Sequence, residues 1–182
     1  MKARPVAIFL AACVLAVCSV SFAVAQKAGD AATPPKEGIL NAADVGSKLF
    51  PDKVFFKSQS APVQARNSAG VRYSDGTLTL AALVDNSGYA SGIREKYQAY
   101  LLTDVAIQIG GQTLKPGAYG FGFIEGNKFV VMDLGANDIF QVSSTKDADL
   151  KRPVPFQFIA GSTPGTYRLY KGRDYVEFQR AK

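Results

Sequence analysis

Hydrophobic positions fall into three regimes along the chain. Val6 to Val24 is a nearly unbroken apolar run. Gln26–Gly38 (QKAGDAATPPKEG) shows no apolar period and carries two prolines among small residues. From Val54 onward apolar residues recur at every second position in short runs, separated by turns containing Gly, Asp or Pro. Period two with such punctuation predicts antiparallel strands.

The first regime begins with Lys2 and Arg4 and ends in Ala23-Val24-Ala25, a small-x-small pattern. This predicts a cleaved export signal over Met1–Ala25, with Gln26 as the mature N-terminus. A retained anchor helix is the competing reading, because a membrane span needs roughly 20 apolar residues. The polar Gln26-Lys27 directly after the small residues favours cleavage. Leu10-Ala11-Ala12-Cys13 has the order of a lipobox, but it comes early and apolar residues follow it. Cys18 is preceded by Val17, too large a residue for that cleavage. The expected location is therefore periplasmic or secreted, and the processed chain is not expected to be an integral membrane protein. Residues 26–40 read as a flexible tether and 41–182 as a single β-domain.

Asn41-Ala42-Ala43-Asp44 has the form of a helix start. Asn41 is placed to cap, and Asp44 to face the positive end of the helix dipole. Leu40, Val45, Leu49 and Phe50 give an apolar side and Pro51 a stop, so one short helix is expected over Asn41–Phe50. Val54–Phe56, an irregular Pro62–Arg66, Val71–Tyr73 and Thr77–Val84 read as strands, the last two joined by an Asp75-Gly76 hairpin turn. Asp85–Gly92 (DNSGYASG) reads as a long polar loop. Tyr97–Leu102 and Val105–Ile109 are strand candidates before a Gly110-Gly111 turn, and Ile139–Ser143 and Pro155–Ala160 lie further on. Two hairpins resemble each other: Pro116-Gly117 through Met132 and Pro164-Gly165 through Phe178, each with aromatics on alternate positions. They are read either as two hairpins obeying the same turn chemistry or as a duplicated half-domain. About ten short strands with one N-terminal helix predict a mainly-β fold, a single antiparallel β-sandwich or a small barrel.

Composition narrows the chemistry more than any motif does. The chain has no His, and its two Cys, Cys13 and Cys18, both lie in the export signal. Zinc sites of the usual ligand types, Cys/His nucleophile pairs and imidazole acid–base work are thereby closed to the processed chain. Neither a cofactor nor a metal is expected. The formal charge is +6, and removing Lys2 and Arg4 with the signal leaves +4. The densest basic groups, Lys151-Arg152 and Lys171, Arg173, Arg180, Lys182, are too short for nucleic-acid binding, though an anionic surface or glycan suits them.

Ser143-Ser144-Thr145-Lys146 matches the S-x-x-K of penicillin-recognising serine enzymes, but it follows a strand and no K-T-G occurs. Carboxylates are the better enzymatic candidates. Glycoside cleavage needs two of them roughly 5–10 Å apart across a groove. Glu125, Asp133 and Asp138 are the candidate acids, with Asp104 at another strand end. Asp133 and Asp138 bracket a DLGAND turn, whose Asp and Asn equally suit backbone hydrogen bonding. That turn and Asp147-x-Asp149 fall short of a calcium-loop pattern.

The most unusual segment is Tyr119-Gly120-Phe121-Gly122-Phe123. On a strand its aromatics face one way and its glycines leave the other face bare. A bare face accommodates either a packed neighbouring aromatic or a ligand. In the second case Gly120 and Gly122 floor an apolar groove, with Tyr89, Tyr97 and Tyr100 as walls. No Trp is present to make a sugar-stacking platform.

Val105–Met132 (VAIQIGGQTLKPGAYGFGFIEGNKFVVM) resembles an uncharacterised family of exported bacterial β-domains with a strand, then I-x-G-x-x-L-x-x-G-x-Y, then an aromatic hairpin. The residues carrying the resemblance are Ile109, Gly111, Leu114, Gly117 and Tyr119. It implies an exported β-sandwich and brings no activity or catalytic residue.

These readings converge on an exported, non-catalytic β-domain that binds a small molecule, a glycan or an envelope protein. The rivals are a carboxylate-dependent hydrolase of envelope sugars or esters, and a structural envelope protein. Two acids facing each other in a groove would favour the hydrolase, an apolar pocket without convergent acids a binding domain, and a flat apolar patch assembly.

Overall fold

The computed structural model describes residues 36–182. The export signal, the Cys13 lipobox and residues 26–35 of the tether lie outside the described residues. In chain order, the first elements are β1 (Gly38–Leu40), α1 (Ala42–Leu49), β2 (Lys53–Phe56), β3 (Gln59–Arg72), β4 (Leu78–Val84), α2 (Ser91–Lys96) and β5 (Ala99–Thr103). There follow β6 (Ile107–Ile109), β7 (Gln112–Leu114), β8 (Gly117–Ile124), β9 (Lys128–Met132) and β10 (Asp138–Ser143). The chain closes with β11 (Thr145–Lys146), β12 (Gln157–Ala160), β13 (Thr166–Lys171) and β14 (Asp174–Arg180).

All strand pairs are antiparallel and form two open sheets. The first runs β1-β3-β4-β5-β8-β9-β10, with β2 paired to β3. The second runs β12-β13-β14-β6-β7, with β11 paired to β14. The fold is a β-sandwich, and the barrel alternative falls because neither sheet closes. Between the sheets lies the main core, where Leu101, Phe121, Phe123, Phe129 and Val131 from one side meet Ile107, Ile109, Leu169, Val176 and Phe178 from the other. The two similar hairpins, β8–β9 and β13–β14, thus sit in opposite sheets and send alternate residues into one core.

The outer face of the first sheet carries a second core. There Leu80, Ala82, Tyr100, Val130 and Met132 pack under Val45 and Phe50 of α1, Val54 and Phe56 of β2, and Tyr89 and Tyr97. β4 is therefore apolar on both faces. Its sequence LTLAALV lacks the polar alternation of a strand with one wet side.

Local chemistry accounts for most boundaries. The Asn41 side chain accepts from Ala43 N–H and the Asp44 carboxylate accepts from Asn41 N–H, a reciprocal cap on α1. The Asp75-Gly76 turn closes with Gly76 at φ 84° and Thr77 bonded to Asp75. Gly110 and Gly111, at φ 53° and 85°, form the left-handed pair of a two-residue hairpin between β6 and β7.

Three local expectations change. Gly38–Leu40, placed in the tether, forms a strand paired to β3. Pro62–Arg66 and Val71–Tyr73 join as one strand, β3, through Asn67-Ser68-Ala69-Gly70. Those small residues look like a loop, but the absent side chain at Gly70 is what lets Leu80 and Val45 close in: a Cβ there would stand 2.5 Å and 3.3 Å from them. Finally, α2 follows the loop through Gly88. It is six residues long with no side-chain cap, so no start signal announces it.

Candidate functional site

The glycine face of β8 sits on the outer side of the first sheet. Register sets Tyr100 and Met132 opposite Gly120, and Val130 opposite Gly122. Phe56 and Tyr97 lie over Gly120, stacked with ring centroids 3.9 Å apart and planes 9° from parallel. A Cβ at Gly120 would collide with Phe56 Cε2 and stand 2.9 Å from Tyr97 Cδ2. At Gly122 it would run into the Lys96 carbonyl oxygen. The expected groove over Gly120 and Gly122 is thus filled from within, by Phe56, Tyr97 and the backbone at Lys96.

Tyr89, Tyr97 and Tyr100 are all buried and belong to this filling. Tyr89 lies edge-on to both Phe56 and Tyr97. Its hydroxyl donates between the carbonyls of Phe56 and Gln59, at 3.0 and 3.1 Å. Gln98 straps the same segment to β8: its amide donates to Phe123 O and accepts from Phe123 N–H. The Tyr97 hydroxyl is buried with no partner among the described residues. Burial pushes the phenol of Tyr97 well above the usual range, Tyr89 and Tyr100 adding to the effect, and burial raises those of Tyr89 and Tyr100 too.

The candidate acids do not converge in a groove. Glu125 sits in the turn before β9 and Asp133 just after it, so five strand residues separate them, about 17 Å at 3.3 Å each. The Asp133 carboxylate accepts from Gly135 N–H, Asn137 N–H and the Asn137 side chain. The Asn137 amide leads these bonds in holding its pKa below the usual range, the opposite of what a general acid needs. Asp138 is taken by Lys96, Oδ2 to Nζ 2.8 Å, and by Gln141. Asp104 stands apart at the end of β5, where its carboxylate accepts from Leu78 N–H. Asp147 is held by the Tyr170 hydroxyl at 2.7 Å. Ser143-Ser144-Thr145-Lys146 runs from the end of β10 into β11, with no helix to bring Lys146 beside Ser143. Among the described residues no three acids stand close enough to share a cation, and no helix is long and apolar enough to cross a membrane.

An open trough lies on the same sheet face, and sequence reasoning did not find it. Its volume is about 720 Å³, with Leu78, Leu80, Leu102 and Ala118 as floor, and Leu49 and Pro116 among its walls. β8 shows how it arises: Gly122 lies under Lys96 and Gly120 under Phe56, whereas Ala118 is only half-buried and faces the trough. Cover from α1, β2 and the Tyr89–Tyr97 segment ends there, while the apolar face of β4 and β5 continues. Among the described residues Asp104 is the one titratable group on its lining. The signal in the sequence is the two-faced apolar character of β4 and β5, whose Leu78, Leu80 and Leu102 point away from the main core.

No protein-family model, curated protein or solved structure matches this chain.

Proposed function

We propose that this is an exported, non-catalytic binding domain whose trough on the first sheet takes a small apolar molecule or an apolar side chain of a partner. The observation that carries the reading is the trough itself: mostly apolar, with Thr103 and Asp104 as its polar side chains, and within the size range of small-molecule sites. A hydrolytic pair needs a second acid opposite the first. Asp104 has none on that lining, and Asp133 and Asp138 are engaged elsewhere. Periplasmic or secreted location follows from the export signal and belongs to the same proposal.

The test is a neutral apolar dye, N-phenyl-1-naphthylamine, titrated into the purified protein. Ala118, half-buried beside Leu102 at the border of the second core, faces the trough, so Ala118→Phe fills it from its floor. Saturable dye binding by the wild type, lost in Ala118→Phe at an unchanged thermal melt, is the expected result. No dye binding by the wild type, or undiminished binding by the variant, overturns the reading.

A further inference from the structure

A different edge of the sandwich gathers charge that is scattered in the sequence. β1 and β12 are the end strands of the two sheets on this side. The segment leading into β12 meets the β13–β14 turn there: Gly172 N–H donates to Pro155 O, and Arg173 donates to the carbonyls of Asp147 and Ala148. Lys146 and Lys171 are both register partners of Asp174, one on each side of it. A cleft of about 410 Å³ between β1 and this segment is lined by Ile39, Arg66, Val154 and Phe156, among others.

Arg66, Lys146, Lys151, Arg152, Lys171 and Arg173 therefore gather on one edge with Asp147, Asp149 and Asp174, and Asp44 joins them at the cleft through Asn41, while Lys36 and Glu37 offset each other. That is an excess of two positive charges, where the chain from Lys36 onward carries an excess of four. Among the described residues none of the six cations forms an ion pair; the three pairs present are Lys96–Asp138, Arg168–Glu177 and Arg180–Asp75. Asp147 is turned to the Tyr170 hydroxyl and Arg173 to backbone carbonyls. The same edge exposes two aliphatic side chains, Ile39 at 39% and Val154 at 40%, on the lining of one cleft. Pro153 and Pro155 flank Val154 and restrict the loop that presents it.

We propose that this edge docks on an anionic lipid surface, with Lys151, Arg152, Lys171 and Arg66 among the headgroups and Val154 and Ile39 at the boundary of the acyl chains. Clustered cations beside exposed aliphatics match that partner on both counts: the headgroups supply the missing counter-charge, and the interface takes the apolar side chains. A soluble polyanion would satisfy the charges and leave Val154 and Ile39 in water. The proposal is independent of the trough on the first sheet.

The experiment is co-sedimentation of the protein, purified from an exporting host, with vesicles of phosphatidylglycerol and phosphatidylcholine or of phosphatidylcholine alone. Binding to the anionic vesicles is expected at low salt, with at least tenfold weaker binding to neutral ones and release at 0.5 M salt, roughly, as the screening length shortens. The double variant Lys151→Glu/Arg152→Glu and the single variant Val154→Asp should each lose tenfold or more at an unchanged melt. Lys53→Glu, on β2 and outside this edge, should bind as the wild type does. Equal binding to both vesicle types, equal loss in Lys53→Glu, or binding to heparin but not to vesicles would each overturn the proposal.

Discussion

The ring of Phe56 lies flat on Tyr97, 3.9 Å between centroids, in the space that a side chain at Gly120 would occupy. Two glycines on β8 therefore do a packing task. They let an aromatic from the β2–β3 hairpin and the backbone at Lys96 approach the sheet more closely than any Cβ allows. The sandwich gains a second core on its outer face, and the trough begins where that cover stops.

Replacing either glycine separates a packed face from an open one. In Gly122→Val the new Cβ meets a backbone carbonyl, which cannot swing aside as a side chain can. Overpacking of this kind costs about 1–3 kcal/mol. For a domain of this size that lowers the melting temperature by roughly 2–12 °C. Gly120→Val should cost less, because the Phe56–Tyr97 pair can yield by tilting. An unchanged melt in both variants would mean that the face is open in solution.

Tyr97 and Tyr89 should respond in opposite directions to loss of a hydroxyl. The Tyr97 hydroxyl is buried without a partner among the described residues, and such a group costs about 1–3 kcal/mol in lost hydration. Tyr97→Phe keeps the stack on Phe56 and should raise the urea midpoint. Tyr89→Phe removes the donor between the Phe56 and Gln59 carbonyls and should lower it by about 1 kcal/mol of stability. The same sign in both variants would refute this account.

How much of this was legible in the sequence depended on the range of the interaction responsible. The Asn41 cap, the Asp75-Gly76 turn and the Gly110-Gly111 turn are written within four residues and read directly. Gly120 and Gly122 announced a close approach, and the packing alternative weighed for them is the one the structure adopts. The occupant was hidden, because Phe56 lies far upstream and is joined to Gly120 only through the sheet. Asn67–Gly70 read as a break in a strand, since small residues carry no period. Their meaning appears only with Val45 and Leu80 in place above Gly70. The trough was invisible for a similar reason: it is bounded by where α1 and the β2–β3 hairpin end in space, which no spacing along β4 or β5 records.

The β2–β3 hairpin turns on two non-glycine residues in the left-handed region, Lys57 at φ 47° and Ser58 at φ 61°. Phe56 pairs with Gln59 across them, so this is a two-residue loop, for which Asn-Gly is the favoured sequence. Left-handed backbone costs an ordinary residue about 1–2 kcal/mol. Lys57→Asn/Ser58→Gly should therefore raise the melt by a few degrees while leaving the Phe56–Tyr97 stack intact. Near-ultraviolet circular dichroism of the tyrosines is the check on that stack. A lower melt would show that the Lys57 and Ser58 side chains contribute more than their backbone costs.

Asp75 supplies a pH dependence with a definite sign. Its carboxylate accepts from the Thr77 hydroxyl first, then from Arg180 and Thr77 N–H, and these bonds hold its pKa at about 2, below the ordinary 3.8. The folded state thus binds this proton less readily than the unfolded chain. The stabilisation is fully present above about pH 4 and fades as pH falls toward 2. Arg180 also lies over the Tyr73 ring, 5.5 Å from its centroid, so the Asp75 carboxylate ties the β3–β4 turn to the last strand of the other sheet. Asp75→Asn removes the charge and keeps an oxygen for Thr77. Its melt should fall below that of the wild type at pH 6, and the gap should narrow below about pH 4 and close as pH passes below about 2. A gap that stayed constant over that range would place the effect in the shape of the turn and not in the ionised carboxylate.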